Sequence, residues 1–478
     1  MLFNSIEFAV FLPGVFTLYW LLPSNTVKYQ NILVLIASYF FYGCWDWRFL
    51  GLLGFSTLLD FYSGLRIHSS QSPGARKLWL VASVTINLGF LAYFKYFGFF
   101  VESFAELLSS NGLQAYSSAL RIVLPIGISF YTFHGLSYVF DIYNRKVTPT
   151  TDFVDYALFV SFFPLLVAGP IERATHLLPQ IERTRTFEYA NAVDGLRQML
   201  WGFFKKVVIA DGCAAYATPI FSDPGNYSGS TLVLGAVFFA LQIYGDFSGY
   251  SDIALGTARL FGFELLKNFN FPYFSRDIAE FWRRWHISLS SWFKDYLYYP
   301  LGGSRFGKFK TIRNTIIIFT VSGFWHGANW TFIAWGAYHG LLFLPLLIFD
   351  QNRKNIGPVA AGRFLPSLLE AFQMAFTFVL VTIGWILFRA ENIAKAGAYL
   401  KGIATTSLFS IPLHSGYHTL MILIALMFGI EWVERSSNHP FEKLHSRYPA
   451  IRWGTYLFLL MLCLANYKQD QEFIYFQF

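Results

Sequence analysis

The sequence predicts an all-α, polytopic integral membrane protein, and three observations carry that prediction. Of its 478 residues 55% are hydrophobic and only 13% charged, against roughly 25% charged in an ordinary soluble domain. The mean hydropathy is +0.43. Aromatic residues make up 20%, with 55 Phe, 28 Tyr and 14 Trp, and they cluster as Phe40-Phe41-Tyr42 and Trp45-Asp46-Trp47, in the manner of Trp and Tyr seated at a membrane–water interface.

Apolar segments approaching the roughly 20 residues that cross a bilayer lie near 8–23, 30–46, 48–65, 78–100, 118–140, 153–168 and 197–219. Others follow near 231–256, 312–329, 331–349, 369–388, 416–433 and 450–466. About eleven of these are expected to span, the rest being re-entrant or interfacial. The first reads as a membrane helix and not as a cleaved signal, because Met1 to Glu7 has no basic residue and no small-residue cleavage site follows. Arg66, Arg76 and Lys77 place the loop after the third segment in the cytoplasm, and the stretch Arg305 to Arg313 is assigned to the same side. With no repeat and no interdomain linker, residues 1–478 read as one transmembrane domain.

Several function classes lose support. The net charge of +8 is dispersed through short loops, which argues against a nucleic-acid partner. Cys44, Cys213 and Cys463 are far apart in apolar surroundings, so neither a disulfide framework nor a metal site is predicted. No Walker-type loop, GxGxxG, HExxH or GxSxG occurs. Chemistry is therefore sought among polar residues inside apolar runs.

His326, in Val321-Ser-Gly-Phe-Trp-His-Gly-Ala-Asn-Trp330, is the most informative of these, because an ionisable side chain at membrane depth is a functional candidate. A buried neutral imidazole accepts a proton from a hydroxyl nucleophile; a hydrogen-bonded structural histidine is the equal alternative. His286 lies in Ser275-Arg-Asp-Ile-Ala-Glu-Phe-Trp-Arg-Arg-Trp-His-Ile-Ser-Leu-Ser-Ser-Trp-Phe293. Asp277 and Glu280 look like a helix start, and Pro300-Leu-Gly-Gly303 a stop. Too charged to span and too apolar for a free loop, this piece reads as an amphipathic or re-entrant helix at the cytoplasmic face, whose basic side chains either meet an anionic cofactor or anchor to the membrane surface. Asp246 and Asp252 in Tyr244 to Ala254 are read as internal partners for arginines, with Gly245, Ser248 and Gly249 packing helices. His134, His339 and Arg389 read as structural.

Four stretches together resemble the bacterial branch of the membrane-bound O-acyltransferases: Phe281 to Phe293, Gly323 to Trp330, Tyr244 to Asp252 and Ala168-Gly-Pro-Ile171. Within that branch the alginate and peptidoglycan O-acetylation proteins are most similar, although His134 stands where the alginate type is expected to have glutamine. The resemblance implies that His326 and His286 are the two motif histidines. It also implies a tunnel through the bundle, no metal and no tightly bound cofactor, and acetyl-CoA as donor from the cytoplasm. Trp325, Asn329, Arg283, Arg284 and Lys294 are then candidates to bind substrate, and Arg305, Lys308 and Lys310 to hold the donor's phosphates. The last residues, Phe473-Ile-Tyr-Phe-Gln-Phe478, are similar to an acyl-carrier ending in which tyrosine holds the acyl group, making Tyr475 a third catalytic candidate; an aromatic interfacial tail is the alternative.

The expected function is transfer of an acetyl group across the bacterial inner membrane for O-acetylation of an exported polysaccharide or peptidoglycan. An extracytoplasmic SGNH-type acetyltransferase is the expected partner, because no soluble domain able to grip a polymer is present. Competing readings are a proton-coupled transporter and a non-catalytic scaffold of an export complex.

Overall fold

The computed structural model describes residues 1–23, 27–113, 122–405, 408–412, 416–442, 448–468 and 473–474. Among the described residues there are twenty α-helices and no strand. The first nine are α1 (Ile6–Leu21), α2 (Val27–Asp46), α3 (Leu50–Ser69), α4 (Pro73–Leu91), α5 (Phe97–Ser110), α6 (Ile128–Tyr143), α7 (Phe153–Ser161), α8 (Phe163–Leu166) and α9 (Ala174–Glu182). Next come α10 (Tyr189–Phe203), α11 (Asp211–Ser222), α12 (Gly229–Leu260), α13 (Ile278–Arg284), α14 (Ile287–Phe293) and α15 (Lys308–His326). The last are α16 (Trp330–Ile348), α17 (Leu368–Arg389), α18 (Ile393–Thr405), α19 (His418–Val433) and α20 (Pro449–Asn466).

Among the described residues, four helical stretches are long and apolar enough to cross a membrane: Pro73–Ser110, Gly229–Leu260, Trp330–Ile348 and Leu368–Arg389. α1 and α19 are apolar but shorter. Two other apolar segments fall short of a simple apolar span for visible reasons. The 153–168 run divides at Pro164 into helices of nine and four residues, and nine residues rise only about 14 Å. The 197–219 run carries Lys205 and Lys206 in its middle, on a π-helical stretch from Phe204 to Ala210.

The contacts divide the chain into two compact units, Met1–Ala192 with Ala258–Leu266, and Val193–Thr257 with Lys267–Phe478. In the first, α3 carries buried Asp60, which accepts hydrogen bonds from Ser83 Oγ (2.6 Å) and Asn87 Nδ2 (2.8 Å) of α4. His134 is fully buried there; its Nε2 accepts the Glu172 backbone N–H at 3.1 Å. That contact fits the structural reading of His134.

The second unit is built on two close helix approaches. α12 lies against α10 and the π-helical stretch through glycines: a Cβ on Gly249 would stand 2.7 Å from Gly202 O, and one on Gly256 2.4 Å from Gly195 O. α15 and α16 form a hairpin on the same principle, since a Cβ on Gly323 would meet Phe332 O at 2.2 Å and one on Gly336 would meet Phe319 O at 2.3 Å. Small residues let backbones approach where the surrounding solvent gives apolar side chains no reason to associate. Between these pairs sits an aromatic core including Trp201, Tyr244, Trp285, Trp335 and Trp385.

The acids of α12 find lysines, not the arginines expected. Asp252 pairs with Lys205 at 2.6 Å and Asp246 with Lys206 at 2.7 Å, all four side chains being largely buried. The π-helical stretch gives the reason: its wider turn brings both consecutive lysines to the face that meets α12.

Gly249→Ala should destabilise the protein by about 1–3 kcal/mol through overpacking. Gly397→Ala, on α18 with nothing within 4 Å of its Cβ position, should leave stability unchanged or raised. Thermal melts of the two variants in detergent check the pair.

Candidate functional site

Asp277 starts α13 by accepting the Glu280 N–H at 2.7 Å, as its spacing predicts. Glu280 is buried and binds two arginines on its own helix face, Arg276 at 3.0 Å and Arg284 at 2.7 Å. A buried carboxylate so placed is stabilised because both neighbours are cationic.

The helix then breaks. Trp285 is extended, and His286 takes the left-handed conformation at φ 43°, ψ 54° before α14 begins. The backbone groups freed by the break are satisfied by the segment 268–270: Asn270 N–H bonds Arg284 O at 3.0 Å, and Ile287 N–H bonds Asn268 O at 2.9 Å. A non-glycine residue at positive φ is costly unless its surroundings enforce it, and such positions gather at functional sites. Here the strain turns the His286 ring inward.

That ring is 1% exposed, and neither nitrogen has a hydrogen-bond partner within the described residues. An unsatisfied buried polar side chain in a native protein calls for an explanation, of which a binding or catalytic role is one. Its centroid lies 6.1 Å from that of His326 and 4.7 Å from that of Phe247. His326, the last residue of α15, is buried among aromatic rings that meet it edge to face: Trp325 at 5.0 Å, Trp335 at 5.3 Å and Phe388 at 5.5 Å. Gly327 makes this possible, because a Cβ there would stand 2.1 Å from the Phe332 ring. The two histidines, forty residues apart in sequence, thus lie side by side, buried among aromatic rings, where hydrogen bonds and charges act strongly.

Trp325, a candidate to bind substrate, has its ring 5.0 Å from that of His326 and 6.1 Å from that of His286. Asn329 instead caps α16, accepting the Thr331 N–H at 3.0 Å and donating to Glu391 O at 2.8 Å. Lys294 is exposed over the Tyr299 ring. Arg305, Lys308 and Lys310 are also exposed, and Lys308 binds Asp350 at 2.8 Å. Tyr475 lies outside the described residues.

Arg283 and Arg284 line a cavity of about 460 Å³ together with Lys267, Asn270, Glu280 and Arg435. Four cations face one carboxylate there. Arg283 is held by Asn352 O at 2.8 Å and Asn355 O at 2.7 Å, and Arg435 by Val359 O at 3.0 Å. Lys267 and Arg435 escaped the sequence reading because each stands alone in its own segment; only folding gathers them. His339 is likewise fully buried, 5.1 Å from the rings of both Trp282 and Trp335.

The sequence model described as "MBOAT, membrane-bound O-acyltransferase family" matches residues 128–388. The chain belongs to this family. It is 42% identical over 401 residues to the "probable alginate O-acetylase AlgI" of Azotobacter vinelandii, covering 83% of this chain and 76% of the relative. It is 35% identical over 432 residues to the "peptidoglycan O-acetyltransferase" of Helicobacter pylori, covering 84% and 80%. A more distant similarity, 26% over 353 residues, links it to the "teichoic acid D-alanyltransferase" of Bacillus subtilis, covering 68% and 87%. The chain is therefore an acyltransferase, and both histidines fall within the matched region.

Burial holds the His286 pKa down at about 3, from an ordinary 6.5. Between those values the unfolded chain binds a proton that the folded chain does not. Stability is therefore undiminished by this group above its unfolded pKa and falls as the pH drops below it, by up to about 1.4 kcal/mol per unit. His286→Gln removes this source of acid sensitivity. Melts between pH 6.5 and about pH 4 should show the variant losing less stability than the wild type, whereas equal losses would refute neutral burial of His286.

Proposed function

We propose that this acyltransferase moves an acetyl group from cytoplasmic acetyl-CoA across the bacterial inner membrane toward an exported polysaccharide or peptidoglycan. The observation that carries the reading is the buried pair His286 and His326, 6.1 Å apart among aromatic rings. The named relatives supply the acceptor class. In this reading the bundle crosses the membrane about eleven times and a tunnel leads to the histidines.

The donor's phosphates occupy the cavity lined by Lys267, Arg283, Arg284 and Arg435. Its volume of about 460 Å³ falls within the range of ligand pockets, and guanidinium groups suit phosphate oxygens. Arg283 and Arg284 belong to the seven-residue helix that ends immediately before the Trp285-His286 turn. A donor held by its phosphates can therefore extend its thioester arm along this helix toward the imidazoles. Arg305, Lys308 and Lys310 then form an outer basic surface that draws the anionic donor to the membrane.

His326 acts as general base. It takes the proton from an attacking hydroxyl as that oxygen bonds to the thioester carbonyl carbon; the carbon–sulfur bond then breaks and coenzyme A leaves as thiolate. His286, neutral and carrying one N–H, positions the donor or stabilises the departing sulfur. The attacking hydroxyl is that of Tyr475, whose aryl ester is reactive enough to pass the acetyl group onward to a separate extracytoplasmic SGNH-type transferase.

His326→Ala should lower acetyl transfer by about 10²–10⁴-fold, the usual contribution of a general base, while leaving helix content and melting behaviour unchanged. Retained transfer in a folded His326→Ala protein would overturn the assignment. After incubation with acetyl-CoA, mass spectrometry of the peptide containing Tyr475 should show an acetyl adduct that is lost in Tyr475→Phe and in His326→Ala. Lys267→Glu should raise the KM for acetyl-CoA with kcat nearly unchanged, because it removes binding that is equal in ground and transition states.

A further inference from the structure

Asp246 does more than pair with a lysine. One carboxylate oxygen lies 2.7 Å from Lys206 Nζ, and the other accepts the backbone N–H of Ile474 at 2.7 Å. Lys206 also binds Asp211 at 2.8 Å. Two carboxylates thus share one ammonium, all three side chains being 7% exposed or less. A backbone N–H is a fitting donor for the carboxylate oxygen of Asp246 that does not face Lys206.

The residue before that amide is also held. Phe473 is 2% exposed, with its ring 4.8 Å from Tyr250 and 6.2 Å from Phe247. Phe247 in turn meets the His286 ring at 4.7 Å, edge to face. Asp246 and Phe247 are consecutive on α12, so one helical position grips the backbone of the 473–474 segment while the next bridges its aromatic ring to the catalytic histidine.

We propose that the Lys206–Asp246 pair is a latch that seats the 473–474 segment beside His286, making Asp246 a positioning residue for acyl transfer. Lys206 fixes the Asp246 carboxyl group in orientation. That group holds the Ile474 amide, and Phe473 fills the aromatic slot between Tyr250 and Phe247. The consequence for transfer rests on the relay reading of Tyr475, the residue that follows Ile474; the latch itself does not.

Hydrogen exchange of the peptide containing residues 473 and 474, read by mass spectrometry on the full-length protein in detergent, tests the latch directly. In the wild type the Ile474 amide should exchange slowly. Asp246→Ala should speed its exchange by at least about tenfold, since that amide then opens without unfolding the bundle. Asp246→Asn, which keeps an acceptor oxygen, should restore most of the protection. Phe473→Ala should give the same release without touching the buried ion cluster, which covers the case in which Asp246→Ala fails to fold. In transfer assays Asp246→Ala and Phe473→Ala should lower kcat by about tenfold to a hundredfold, as expected for a misplaced reacting group, with the KM for acetyl-CoA unchanged.

Equal exchange of the Ile474 amide in wild type, Asp246→Ala and Phe473→Ala would overturn the latch. Faster exchange with unchanged kcat would overturn the positioning role. Full transfer by Tyr475→Phe, with the exchange result as expected, would retire the relay reading and leave the latch standing.

Discussion

Burying a charge in a low-dielectric interior is costly unless it is paired, and much of the second unit, among the described residues, is arranged around that constraint. Lys205 meets Asp252, Lys206 meets Asp246 and Asp211, and Glu280 meets Arg276 and Arg284. An unpaired ion would lose several kcal/mol or give up its charge, so each pairing also fixes which helix faces touch. The π-helical stretch from Phe204 to Ala210 can be understood in these terms: it presents two neighbouring lysines to one partner helix, and π-turns often mark functional segments. The glycines of α12 and α10 then bring the backbones close enough for the pairs to form.

His286 departs from that economy of satisfied groups. Its nitrogens have no partner within the described residues, its backbone sits in a disfavoured region, and burial denies it the charged form. Strain, desolvation and missing partners coincide on a single residue. Stability alone would favour an apolar side chain at such a position. The basic cavity and the histidine pair are neighbours along the chain, Arg284 lying two residues before His286. The interrupted helix joins them because a continuous one would carry residue 286 away from the ring of His326.

Much of this was legible in the amino-acid string. The FWRRWH and GFWHGANW motifs marked both histidines, the Asp277–Glu280 spacing marked the start of α13, and the aromatic clusters were read as an interfacial belt. The membrane character was equally plain, whereas span boundaries were not. Pro164 divides one apolar run, and Lys205 and Lys206 sit within another because partners are available that composition cannot show. The acids of α12 were expected to meet arginines and instead meet lysines, since the choice depends on the helix facing them. Asn329 was read as a substrate ligand from its place in the motif, while the structure uses it as a helix cap.

Sequence alone determined the chemistry available: an all-α membrane chain, two histidines in specific motifs, no metal-spaced cluster, and small residues where helices approach. These are local properties, set by residue type and spacing. Tertiary structure alone decided that residues forty positions apart lie side by side, and that Lys267, Arg283, Arg284 and Arg435 surround one cavity. It alone brought the amide of Ile474 to the carboxylate of Asp246. Contacts of this kind depend on which faces the folded chain presents to one another, and a helix that is apolar nearly all round carries no periodic signal to say which face that will be.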